Sequence, residues 1–375
     1  MQRRRFLQTA SVATGMSLVG CLGANQGGGD GWPPARNLVD VISPDPTSTI
    51  GQANVNTAAF WEQYFEEDIT VATSNHQGQQ ELNTYNLLGS EEVARDGSVL
   101  MCERVNPIII SQMGREEANY DVREFDSFYQ ILGDTRAMLV NHRTLPAEDH
   151  FDLTWGEFRD YAEDEGPIVG GWGNAIHKMI MEALRQWDPV LNEDNFRLVR
   201  VDSGGELRTG MQRGDIDLHN GSFPTNFIGR NEFYYTQWVY VDPGRQPALW
   251  ESIKDVQPET APTSSPEQKT LANNPDYAFV ESGYPRADAR RLIDLISDFI
   301  FYMAPPNTNA EAMEAFNASL DKLVEDGEYT GKMRNLFSAA FAPIVGEDIH
   351  QKVLDKFATF NDDEKARTLI EEELF

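Results

Sequence analysis

The sequence predicts an α/β protein of two lobes, each a sheet flanked by helices, with a cleft between them. Three observations predict it. Apolar runs of strand length alternate with segments of helical spacing, the pattern of a parallel sheet with helices on its faces. The alternation pauses after the first hundred residues and restarts near Arg136. The chain has 375 residues, too many for one ordinary core and suited to two lobes.

Leu38 to Ile42 is the first predicted strand, followed by a polar turn from Ser43 to Thr49. Val55, Ala58, Ala59, Trp61, Tyr64 and Phe65 then recur at helical spacing, predicting a helix over Asn54 to Glu67. The plan repeats with a strand at Ile69 to Ala72, a loop from Ser74 to Gln80 and a helix through Leu82, Tyr85, Leu87 and Leu88. Val99-Leu100-Met101 is a third strand.

The second unit opens with a strand at Ala137 to Val140 and a helix over Thr154 to Glu163, whose Thr-x-x-Glu start is a capping box. Ile168-Val169 is a strand, Gly170 to Asn174 a turn, and Ala175 to Trp187 a helix. A strand follows at Phe196 to Val201, a short helix at Glu206 to Arg213 and a strand at Ile216 to Leu218. Phe233, Tyr234, Tyr235, Trp238 and Tyr240 alternate in strand fashion, as core or cleft wall. Asp255 to Asn274, rich in Pro, Ser and Thr, reads as a surface loop.

Arg290 to Met303 is predicted helical, as is Thr308 to Gly327, with Thr308 as cap and Glu311 three residues on. Lys352 to Phe375 reads as a polar helical tail. These last helices are expected to return and pack on the first lobe. The predicted layout is residues 36–135 and 282–375 in lobe one and 136–281 in lobe two.

Sixty acidic against 31 basic residues give a formal charge of −29, spread along the chain. Such a surface repels nucleic acid and anionic lipid, which excludes a nucleic-acid-binding role. Dispersed self-repulsion is tolerable where molar salt shortens the Debye length to about 3 Å, so the excess is read as halophilic, haloarchaeal-like adaptation.

Residues 1–20 combine Arg3-Arg4-Arg5-Phe6-Leu7 with a short apolar run from Ala10 to Gly20. This is the plan of an export signal of twin-arginine type. Leu18-Val19-Gly20-Cys21 has the form of a lipobox, which predicts an acylated Cys21 as the mature N-terminus. Residues 21–35, with Gly27-Gly28-Gly29, read as a tether holding the folded part to the outer face of the cytoplasmic membrane. Cys102 is the only other cysteine, so the folded part has no disulfide framework.

Seven short stretches in order resemble one family, the TctC or Bug-type extracytoplasmic receptors of tripartite tricarboxylate transporters. Asp96-Gly97-Ser98-Val99-Leu100 is similar to its DGYTL segment, and Thr154 to Ala162, after Leu139-Val140-Asn141, to its strand and helix ending in YA. Gly171-Trp172-Gly173-Asn174 with His177 resembles its G-x-G-x-x-x-H turn. Asp202-Ser203-Gly204-Gly205 and Gly214 to Asp217 resemble KGG and GQVD, Glu281 to Pro285 resembles EQGYP, and Ala304 to Thr308 resembles APAGTP. The resemblance implies a periplasmic-binding-protein-like fold of type II and a monomeric receptor that hands a small organic anion, a carboxylate, to membrane permease subunits, with no cofactor. In that family two loops hold the carboxylate through backbone N–H groups at helix starts. Here these loops are Ser43 to Gly51, without a glycine pair, and Asn75-His76-Gln77-Gly78-Gln79-Gln80.

The expected ligand contacts are Ser43, Thr47, Ser48 and Thr49 in the first loop, and Asn75, His76, Gln77, Gly78 and Gln79 in the second. From lobe two come Gly171, Trp172, Gly173, Asn174, His177, Ser203, Gly204 and Asp217. For His177 the competing reading is simple packing, and for the Gly170 to Asn174 turn a tight strand-to-helix connection. No Gly-x-Ser-x-Gly elbow surrounds Ser203, and the six histidines form no metal-ligand spacing. Two alternatives stand beside the receptor: a surface-anchored hydrolase using Asp215, Asp217 or a histidine as base, and a sensory solute receptor.

Overall fold

Local chemistry sets most of the elements. The computed structural model describes residues 31–375 except 47, 77–80, 142–143, 146–152, 202–203, 224–233, 255–277 and 338–339. Along the chain run β1 (Leu38–Ser43), α1 (Thr49–Trp61), β2 (Thr70–Asn75), α2 (Glu81–Gly89), β3 (Val99–Arg104), α3 (Val105–Gly114) and β4 (Asp126–Asn141). Then come α4 (Trp155–Asp164), β5 (Ile168–Trp172), α5 (Ala175–Trp187), β6 (Phe196–Arg200), α6 (Gly204–Arg213), β7 (Leu218–Phe223), β8 (Tyr234–Val239) and α7 (Pro247–Ile253). The remainder is α8 (Arg286–Ile296), β9 (Asp298–Ala304), α9 (Ala310–Glu325), α10 (Gly327–Phe337), β10 (Phe341–Val345), α11 (Asp348–Asp362) and α12 (Glu364–Glu373).

Two mixed sheets share β4, a strand of 16 residues. Its first half, from Asp126 to Asp134, pairs antiparallel with β9, which pairs antiparallel with β3, and β1 and β2 extend that sheet in parallel. Its second half, from Thr135 to Asn141, pairs antiparallel with β7 and β8, and β5 and β6 follow β7 in parallel. The register has a geometric consequence. β4 runs in the direction of β1 to β3 and against β5 to β7, and it enters the second sheet beside the end of β7, where Thr135 faces Phe223. The carboxyl ends of the strands in both sheets therefore converge on the crossing of β4, which is where open α/β sheets bind ligands.

One apolar cluster runs beneath both sheets, taking in Met101 and Phe301 from the first, Met138 and Trp238 from the second, and Ile109, Ile180, Ile293 and Ile370 from α3, α5, α8 and α12. A second cluster, around Trp61, Tyr302 and Phe316, covers the other face of the first sheet. Two smaller clusters cover the other face of the second sheet. Helix α5 buries Ile176, Met179, Ile180, Ala183 and Leu184, the stripe its 3.6-residue period dictates. Trp155 is fully buried and meets Trp238 and Tyr284 edge to face at 5.0 and 4.9 Å, which fastens α4 to its sheet.

Several expectations need correction. The helix predicted over Arg290 to Met303 is two elements: α8 ends at Ile296, and Asp298–Ala304 is a strand buried along its whole length. A strand covered on both faces reads as an unbroken apolar run and merges with the helix before it. The cap of α9 is Asn309, whose Oδ1 accepts from the N–H groups of Glu311 and Ala312, while Thr308 donates to the Pro305 carbonyl. Helix α1 begins at Thr49, five residues before the predicted start. Helix α3 and the first half of β4 were not predicted. The loop predicted over Asp255 to Asn274 lies outside the described residues.

Candidate functional site

The first loop is tied to the sheet by Asn54. Its Nδ2 donates to the Val41 carbonyl at 3.1 Å and to Ser43 Oγ at 3.0 Å, and its Oδ1 accepts from Tyr302 at 2.9 Å. All three groups are buried, so Ser43 is a structural hydroxyl at the base of the loop. Ser48 is the N-cap of α1 and accepts from the Gly51 amide at 3.0 Å. A Cβ at Gly51 would overlap the Asp45 carbonyl oxygen, so this glycine lets the loop close over the first turn of α1. Thr49 is the first residue of that helix; Thr47 lies outside the described residues.

In the second loop Asn75 ends β2, exposed, and Gln77, Gly78 and Gln79 lie outside the described residues. His76 is buried, with Nε2 3.2 Å from Glu103 Oε2. Burial lowers its pKa, but the hydrogen bond to Glu103 and the charges of Glu103 and Glu81 outweigh this and raise it above its ordinary value. Glu81 itself is pushed up to about 7, first by burial and then by the charge of Glu103.

On the second sheet, Asn174 caps α5: its Oδ1 accepts from the His177 amide at 3.0 Å. Gly173 is exposed and a Cβ there would meet nothing nearer than 3.6 Å, so the turn is open to close approach. Gly171 does different work. A Cβ there would lie 2.8 Å from Leu207 and 3.0 Å from Ile216, so this glycine lets α6 pack on β5. Trp172 is half-buried between Lys178 Nζ and the Arg200 guanidinium, 5.4 and 5.6 Å from its ring. Gly204 opens α6, and Ser203 lies outside the described residues.

Asp217 stands apart from the others. Its Oδ2 accepts from the Val169 amide at 2.7 Å, which places it at the start of β5. The turn at Gly173 is four residues farther on, about 13 Å at strand rise.

At the crossing of β4 the structure gathers a buried polar cluster. Arg136 donates through Nη1 to His177 Nε2 at 3.0 Å and lies 3.8 Å from Asp298 Oδ2. Arg104, at the end of β3, approaches the same oxygen at 3.6 Å. Asp298 Oδ1 accepts from the Asn106 and Phe299 amides at 3.3 and 2.9 Å. Because a guanidinium only donates, His177 Nε2 is an acceptor and its proton sits on Nδ1. That Nδ1 is buried and without a hydrogen-bond partner among the described residues. His219 meets His177 edge to face at 4.7 Å and hydrogen-bonds the Gly171 carbonyl at 3.1 Å through Nδ1. Burial, then His219 and Arg136, hold the His177 pKa well below its ordinary value, and burial lowers His219 to about 3. Both rings are neutral at physiological pH. The sequence singles out His177 but not Arg136 or Arg104, which sit on a strand and a helix boundary whose course the sequence did not reveal.

Among the described residues there is no group of three or more His, Cys, Asp or Glu that could hold a metal ion, and no helix long and apolar enough to cross a membrane.

Two sheets sharing a crossing strand, with helix starts and buried donors at their facing ends, define the fold of the two-lobed periplasmic solute-binding proteins. Solved structures of such proteins superpose over most of the chain. MatC from Rhodopseudomonas palustris with bound malate matches with a TM-score of 0.61 at 13% identity, covering 89% of this chain and 99% of that one. A second R. palustris protein, with adipate, gives 0.60 at 13% identity over 88% of this chain and 97% of its own. A TctC solute-binding protein from Polaromonas without ligand gives 0.54 at 12% identity over 87% and 98%. No family model matches the sequence, and no curated protein does.

Proposed function

We propose that the chain is an extracytoplasmic receptor that captures a small organic anion, a carboxylate, and presents it to a membrane permease of the tripartite tricarboxylate type. The observation that carries the reading is the buried His177 Nδ1–H, unpartnered among the described residues and fixed by Arg136 where the strand ends of both sheets converge. A buried donor needs an acceptor. Next to it, α5 offers the remaining amides of its first turn, and across the crossing α1 offers those of its own, each with the positive end of a helix dipole. All these groups favour a guest rich in acceptors and negative charge. Neighbours of the same fold hold malate and adipate, which agrees with a carboxylate guest.

In this reading the guest lies between Ser48 and Thr49 on one side and Gly173, Asn174 and His177 on the other, with the Asn75 to Gln79 loop and Trp172 as walls. The lobes are residues 36–135 with 282–375, and 136–281. Residues 1–20 act as a twin-arginine signal, Cys21 carries the lipid, and the receptor works as a halophilic monomer outside the membrane.

The test is equilibrium titration of the purified mature chain with mono-, di- and tricarboxylates in about 2 M KCl. At least one is expected to bind saturably and without turnover, and Arg136→Met is expected to weaken it tenfold or more. Turnover of the ligand, or no saturable binding across the panel, overturns the reading.

A further inference from the structure

Behind the crossing strands, on the side of α11, lies a cavity of about 490 Å³ whose wall is unlike the rest of this acidic molecule. Lys352 and Lys356, two of the chain's eight lysines, both line it. They lie one turn apart on α11, and Thr359 follows on the same face.

Among the described residues, neither ammonium is held by a carboxylate. Lys352 Nζ donates to Gln130 Oε1, and Lys356 Nζ donates to the Asp294 carbonyl oxygen at 2.6 Å. Besides these hydrogen bonds, Lys352 sits 4.9 Å from the Phe299 ring and Lys356 5.3 Å from the Phe360 ring. Each ammonium has three N–H donors and, among the described residues, one hydrogen bond, so donors remain for a guest.

Among the described residues, each of the three carboxylates in the wall has a nearer partner than the two lysines. Asp298 faces Arg104 and Arg136 at 3.6 and 3.8 Å, Asp294 pairs with Arg245 at 3.0 Å on the rim, and Asp355 accepts from Gln351 at 2.7 Å.

We propose that this cavity is a second binding site, for a small oxyanion held by Lys352, Lys356 and Thr359 at the back of the strands that join the two lobes. Gly133, just before β4 passes to the second sheet, and Ser297 and Asp298, where β9 begins, also line it. An occupant thus touches both strands at the crossing and couples to the angle between the sheets. Burial lowers the pKa of Lys352, and it lowers Lys356 to about 8 against the pull of Asp298 and Asp294. An anion at this place raises both.

The experiment is calorimetric titration of the full mature chain with inorganic phosphate, and separately sulfate, in a KCl background. It is repeated with Lys352→Gln, Lys356→Met and Gly173→Ala, the last as control for the inter-lobe site. One saturable site is expected, weakened tenfold or more by either lysine change and unchanged by Gly173→Ala. In parallel, NMR of the lysine side chains is expected to show the Lys356 pKa rising when phosphate saturates. Where a lysine variant fails to fold, this wild-type signal decides. Absence of saturable binding with an unmoved Lys356 resonance, equal binding by the folded lysine variants, or loss of phosphate binding in Gly173→Ala overturns the proposal. In that last case phosphate occupies the site between the lobes.

Discussion

Arg136 donates to His177 Nε2 across 3.0 Å, and this contact fixes the ring proton of His177 on Nδ1. Arg136 is also 3.8 Å from Asp298, at the start of the strand that crosses back into the first sheet. The pair is thus both a junction of the two sheets and the support of the donor on which the proposed site depends.

Arg136→Lys keeps a charge but loses the planar fork that serves His177 and Asp298 together. It is expected to reduce carboxylate affinity about tenfold and to destabilise the protein by about 1–3 kcal/mol, since a buried acceptor pair loses geometry. Titration and denaturant unfolding of the same preparation check both.

The depressed histidines make a signed pH prediction. His177 and His219 have folded pKa values below the ordinary 6.5, so below that pH the unfolded chain binds the additional protons. Stability therefore falls as pH drops from about 6.5, by up to about 1.4 kcal/mol per pH unit for each histidine. His219→Gln is expected to make the slope between pH 6.5 and 4 shallower, measured by unfolding at fixed salt.

Glu81 carries the opposite sign. Its folded pKa is raised from 4.5 to about 7, so the folded chain binds the extra proton between these values and stability falls as pH rises through them. Glu81→Gln is expected to stabilise the protein above pH 7 by about 1–3 kcal/mol and to leave it nearly unchanged at pH 4. Equal effects at both pH values contradict the assignment.

The two glycines of the β5 turn are expected to behave differently. Gly171→Ala places a methyl group 2.8 Å from Leu207 and is expected to cost about 1–3 kcal/mol of stability. Gly173→Ala meets nothing nearer than 3.6 Å and is expected to leave the Tm unchanged while lowering carboxylate affinity. The comparison of Tm and affinity for both variants separates packing from ligand approach.

What the sequence revealed tracks where the determining chemistry is local. Helices α4 and α5 start where predicted because Thr154 with Glu157, and Asn174, satisfy the first amides from within a few residues. Strand β9 and the first half of β4 were hidden because each owes its conformation to partners more than a hundred residues away, and a doubly covered strand has no period of two. The same reason hid the cluster at the crossing. Arg104, Arg136 and Asp298 are far apart in sequence and meet only through strand register, whereas His177 stood beside a recognisable turn. Asp217 illustrates the reverse: its neighbours in sequence suggested a ligand, and its hydrogen bond to Val169 places it at the far end of the strand.

A crystal structure with the tightest-binding carboxylate decides where the guest sits. A carboxylate oxygen is expected within hydrogen-bond distance of His177 Nδ1, between the first turns of α1 and α5. A ligand bound anywhere else, with His177 Nδ1 still unpartnered, contradicts the account.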